Sequence, residues 1–289
     1  MKKKVLITLC ALILAILPFF VGISITKYSP YLDTNSFQKY IIIWGVISIA
    51  FTSVALSLLK YFPESFERIG IPLFLLMCPI VGIIGLAAAP DLSLKMLEHP
   101  EREHIRYIFL LIAAILFGIF GLFLFRSNLL KNNTKSRRII SVVFIIAFVE
   151  FIWEFTHHYL YPEALKEWID QGKNFEEFGK NYDNSNVITI GVIGRYCQYI
   201  LIIWLSILFY KSHKIKIWSP IITIFLSSLG IISATVVYIT NFNFPKGFEF
   251  LMLFFIPGFP FLLLYWLGIG LLTKSKKSEV HNSKEKPNR

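Results

Sequence analysis

The sequence predicts an all-α fold: a polytopic membrane bundle of about eight transmembrane helices with both termini on the cytoplasmic side. Three observations carry this. Eight mainly apolar stretches each reach the roughly 20 residues that a helix needs to cross hydrocarbon. Only 16 % of the residues are charged and 55 % are apolar, whereas an ordinary soluble domain carries roughly a quarter charged residues. The basic residues are also segregated. With the N-terminus inside and the helices alternating, cytoplasmic segments hold 19 Lys and Arg against 4 acids, and outer segments hold 9 against 12. Basic loops are retained on the cytoplasmic side, so this asymmetry sets the orientation.

The spans fall near Val5–Ile25, Tyr40–Leu59, Ile71–Ala89, Tyr107–Phe125, Ile139–His158, Val187–Tyr210, Pro220–Thr240 and Glu249–Leu272. Backbone groups in hydrocarbon need internal partners, so runs of this length must be helices. The short alternating segments of a barrel are absent. Residues 1–272 therefore read as one transmembrane domain. The first span follows Lys2, Lys3 and Lys4 like a signal peptide. No small-x-small cleavage site follows it, and the apolar run is long enough to span, so it reads as an uncleaved helix. Tyr28, Tyr31, Tyr40, Tyr107, Tyr159 and Tyr161 then fall near the outer face, and Tyr61, Tyr210 and Trp218 near the inner one, as aromatic belts do.

The net charge of +11 is thus a topology signal and does not indicate nucleic-acid binding. Much of it sits in Arg126, Lys131, Lys135, Arg137 and Arg138, and in the basic tail 273–289, which reads as a disordered, solvated end touching anionic headgroups. Asn132-Asn133-Thr134 matches a glycosylation sequon on the wrong side of the membrane. Cys10, Cys78 and Cys197 all lie within spans, so no disulfide framework is expected. An echo of Tyr40–Trp44 in Tyr199–Trp204 needs a gap and is mostly Ile, and it reads as chance.

Two outer connections are long. Pro90–Arg106 is acidic and carries His99 and His104. Residues 159–186 read as an amphipathic lid on the outer surface and as a surface for a protein partner. Pro162 suits a first helical position, and Leu165, Trp168 and Ile169 then share a face. Asn174 and Glu177 have capping-box spacing for a second short helix.

Charged residues in hydrocarbon are costly, usually face the bundle interior and have partners. Glu150 and Glu154 are four apart and share a helical face, where like charges repel. A proton, a cation or a metal must offset that repulsion. His157 and His158 border the same face. Glu150 lies roughly 12 Å below the outer end of the fifth span, and Arg195 roughly 12 Å below the outer end of the sixth. Sequential antiparallel helices would bring them together as an ion pair, with Gln198 one turn beyond Arg195 and Gly191 and Gly194 permitting close approach. Ile256-Pro257-Gly258-Phe259-Pro260 must break the eighth span at a similar depth. Pro18 and Pro79 lie within a few Å of it. Broken helices bare carbonyls toward polar cavities. The candidate binding or ion-coupling centre is therefore Glu150, Arg195, Glu154, Gln198, Pro257 and Gly258, beside a cavity open to the outer loops.

A divalent metal competes as a reading of Glu154-x-x-His157, with His158, His99 and His104 as further ligands. The metal is the lesser reading, and the centre is expected to need no cofactor. No P-loop, His-Glu-x-x-His or Gly-x-Ser-x-Gly occurs, so the chain has no nucleotide site of its own. Three functions fit. The first is a transporter or permease handling a small solute, ion or lipid, with Glu154 and His157 lining the outer entry. The second is a membrane enzyme acting on a lipid or isoprenoid through the Glu/His groups. The third is a non-catalytic scaffold or assembly factor.

Overall fold

A computed structural model describes residues 2–25, 34–59, 65–87, 93–130 and 134–273. The described residues are helical and contain no strand. In order the helices are α1 (Lys2–Ile25), α2 (Thr34–Leu59), α3 (Ser65–Ala87), α4 (Pro100–Arg126), α5 (Thr134–Tyr159), α6 (Tyr161–Asp170), α7 (Phe175–Tyr182), α8 (Ser185–Lys211), α9 (Trp218–Thr240), α10 (Met252–Phe255) and α11 (Gly258–Leu272). Among the described residues, five helices are long and apolar enough to cross a membrane. They become six when the pair Glu249–Phe255 and Gly258–Leu272, bent by 71°, is counted as one broken span. The fold is a helical membrane bundle.

The surface agrees with that class. Ile42, Val46, Ile49 and Leu56 of α2 are exposed, as are Ile139, Val142, Ile145 and Val149 of α5 and Ile221, Phe225, Ile232 and Ile239 of α9. Each set follows one helical face. Such stripes are stable only against lipid or another apolar partner. By contrast, α11 is apolar all round and buries 13 of its 15 residues. It is the central post, packed chiefly on α3 and also touching α1, α8 and α9. Neighbours in sequence pack as neighbours in space: α3 on α4, α4 on α5, α8 on α9. An aromatic stack of Phe117, Phe144, Phe151 and Phe261 ties α4 and α5 to this post.

Several helices begin earlier than the apolar runs do. The hydrocarbon-length window measures only the apolar part, whereas a helix continues through its polar first turns. In α4, Pro100 supplies the start, and Glu101 and Glu103 sit where the helix dipole favours acids. The expected connection Pro90–Arg106 is therefore corrected: residues 100–106 are helix. The connection 159–186 forms two short helices. Pro162 starts α6, and the Asn174 side chain caps α7 by accepting from Glu176 N. With Met96 they form a small apolar cluster around Tyr161, Leu165 and Phe178 at one end of the bundle. The tail from residue 274, Asn132, Asn133, Tyr28, Tyr31 and Tyr61 lie outside the described residues, as do the side chains of Cys78 and Pro79.

Candidate functional site

The site is built on one guanidinium. α5 and α8 pack against each other, and α8 carries Arg195 into their interface. Gly194 makes the approach close enough. A Cβ there would fall on the side-chain carbons of Glu150. Gly191 does not have this role, because a Cβ there would meet only Phe255 at 3.6 Å.

Arg195 is 1 % exposed, and it donates in every direction its planar fork allows. Nη1 donates to Glu150 Oε1 at 3.1 Å and Oε2 at 3.2 Å, and to Gln198 Oε1 at 2.9 Å. Nη2 donates to both Glu154 oxygens at 2.7 Å. Nε donates to the Phe255 carbonyl at 2.7 Å. Gln198 Nε2 closes the network by donating to Glu150 Oε2. Charge-assisted bonds of this kind are roughly twice as strong as neutral ones. A guanidinium has five N–H donors and cannot lose its charge in a protein. All three guanidinium nitrogens are engaged here by acceptors of the chain itself.

The Phe255 carbonyl is available because the chain is broken just after it. Pro257 has no N–H, and Ile256 turns extended (φ −62°, ψ 134°) between α10 and α11. Side chains donate to two further carbonyls of this segment. Tyr199 OH donates to Phe254 O, and Ser233 Oγ donates to Leu251 O at 2.6 Å. Tyr199 reaches that far because Gly230 of α9 leaves space for its ring. The break thus enters the site through Phe254 and Phe255. Pro257 and Gly258 cause the geometry, while the hydrogen bonds to Arg195 come from Phe255, Glu150, Glu154 and Gln198.

The two carboxylates meet one guanidinium, so the cluster carries one excess negative charge when all groups are ionised. It is nearly dry: Glu150 and Glu154 side chains are 3 % and 8 % exposed. Buried like charges in low dielectric repel strongly.

The histidines go to separate partners. His157 Nε2 lies 2.8 Å from Asp183 Oδ1, and its carbonyl accepts from Tyr182 OH at 2.6 Å. Burial, with the Asp183 charge behind it, pushes the Tyr182 phenol up from 10.0 to about 12. His158 Nε2 lies 3.9 Å from Glu154 Oε1. His104 Nε2 reaches Glu163 at 2.8 Å, and His99 reaches only Glu101 at 3.5 Å. The metal reading gathered Glu154, His157, His158, His99 and His104, and the structure does not bring them together. Among the described residues no group of three or more His, Cys, Asp or Glu is placed to hold a metal ion.

Other buried charges went unread in the sequence. Arg102, Glu103 and Arg106 are buried in the first turns of α4, with Arg106 3.6 Å from Glu103. At the far end of the bundle Lys214 meets Glu67 at 3.2 Å. A cavity of about 210 Å3, lined by Trp218, Ser219, Ile222, Thr223 and Trp266, lies at that far end and not beside Glu150.

Fold and site together define a class: a helical membrane protein with a buried Glu–Arg–Glu network against a broken helix. Comparison with family models, curated proteins and solved structures finds no match.

Proposed function

We propose that this chain is a transporter of permease type, crossing the plasma membrane about eight times with both termini in the cytoplasm. In this reading, Glu150, Glu154, Arg195 and Gln198 bind a proton or small cation and couple its release to solute movement. The observation that carries the reading is the unbalanced charge: two dry carboxylates share one permanent cation. Arg195 cannot supply the missing charge, so a proton or a cation on the carboxylate pair does. The break between α10 and α11 adds a hinge, because its carbonyls are held by replaceable side-chain bonds and not by the helix ladder. Helix breaks of this kind line ion and solute sites in transporters.

The test is proton flux in vesicles reconstituted with the purified protein, driven by an imposed potential and read by a trapped pH dye. Glu150→Gln keeps the shape and removes the titratable group. The reading expects flux to vanish while the variant remains folded, and flux at the unaltered rate would overturn it.

One observation favours a second reading. Engagement of all three Arg195 nitrogens by the chain itself also suits a staple that fixes helix register in a scaffold or assembly factor. In that case the wild-type vesicles would be silent.

A further inference from the structure

The carboxylates of the cluster are almost sealed, so a proton reaching them needs a carrier. His158 meets the requirements. It follows Glu154 by one helical turn, it is 33 % exposed, and its Nε2 sits 3.9 Å from Glu154 Oε1. A small swing or one bridging water closes that gap to hydrogen-bond distance. Its ring lies parallel to Tyr107 of α4 with centroids 5.0 Å apart and planes within 10°, so its aim is held. Its neighbour is committed elsewhere: His157 is bonded to Asp183 and sandwiched between Trp153 and Tyr182.

We propose that His158 is the proton relay between the α6–α7 end of the bundle and the Glu154–Glu150–Arg195 cluster. This rests on the reading of that cluster as a proton-binding centre. In the loading step, one imidazole nitrogen accepts a proton from water. Nε2–H then releases its own proton to Glu154 Oε1. The carboxylate becomes a carboxylic acid, and the ring ends as the other neutral tautomer. The other titratable and charged groups around His158 are Asp183, His157 and Arg106. Glu154 in turn faces Arg195 and Glu150.

The experiment is a pH jump on the full-length protein in lipid nanodiscs, following the infrared band of protonated carboxyl groups. The wild type should gain a band that a Glu150→Gln/Glu154→Gln variant lacks. His158→Ala should gain the same band more slowly, on the order of a hundredfold, and added imidazole should restore the rate. His158→Gln, closer in size, gives the same comparison if the alanine variant fails to fold. Uptake at the wild-type rate in both variants overturns the relay and leaves the proton-binding centre standing. Slow uptake that imidazole does not restore also overturns it, because the defect is then structural. A wild-type band no larger than that of the double variant overturns the relay and the reading of the cluster together.

Discussion

Gly194→Ala tests the packing on which the site depends. The added Cβ would overlap Cβ, Cγ and Cδ of Glu150. A flexible tip could move aside, but Cβ is fixed to the backbone of α5, so the two helices must separate or Glu150 must abandon Arg195. Overpacking of this kind costs about 1–3 kcal/mol, and stranding a buried charge raises the cost to about 3–5 kcal/mol. The melting temperature should then fall by roughly 5 °C or more. Gly191→Ala is the matched control three residues earlier. Its Cβ makes an ordinary 3.6 Å contact with Phe255, and the gain in helix propensity of up to about 1 kcal/mol should leave stability equal or slightly higher. A thiol-reactive dye that fluoresces as the three cysteines become exposed reads both variants in detergent. Equal melting of Gly194→Ala and wild type would refute the close-approach argument, as would equal damage from Gly191→Ala.

Other consequences can be checked in the same format. Arg195→Met alone should cost about 3–5 kcal/mol, because it strands two carboxylates, whereas Glu150→Leu/Glu154→Leu/Arg195→Met together should be tolerated to within about 1–2 kcal/mol. The Tyr182 phenol has a raised folded pKa, so its bond to the His157 carbonyl stabilises fully below pH 10.0 and is lost as pH rises through about 12. Tyr182→Phe should therefore lower the melting temperature near neutral pH and flatten its decline over that alkaline window. Asp183→Asn should weaken the contact between His157 and the end of α7. Proteolytic nicking near Gly172, which sits at φ +72° between α6 and α7, should then accelerate.

Much of the fold is written in hydropathy, since lipid demands long apolar helices and the chain shows them plainly. The facing of Glu150 and Arg195 follows from counting residues inward along two sequential antiparallel helices, which needs only the helical rise. The rest depends on contacts between segments far apart in sequence. Glu154 reads in isolation as a partner for His157, one turn away, yet it gives both oxygens to Arg195, 41 residues on. The break at Pro257 is legible, but not which carbonyls it frees or that Tyr199 and Arg195 take them. Charged residues at helix starts are usually solvated, so nothing local marks Arg102, Glu103, Arg106 or Glu67 as buried. The histidines look like a ligand set on a one-dimensional map, and α4 and α5 carry them to different partners.

The central claim is that the charges of the cluster serve movement of protons and solute and not merely folding. Proton flux through vesicles carrying the Glu150→Leu/Glu154→Leu/Arg195→Met variant separates those roles most directly, because removing all three charges together strands none. The account predicts a folded protein, melting close to wild type, whose vesicles hold an imposed gradient that wild-type vesicles dissipate. A folded variant that dissipates the gradient as fast as wild type would contradict it.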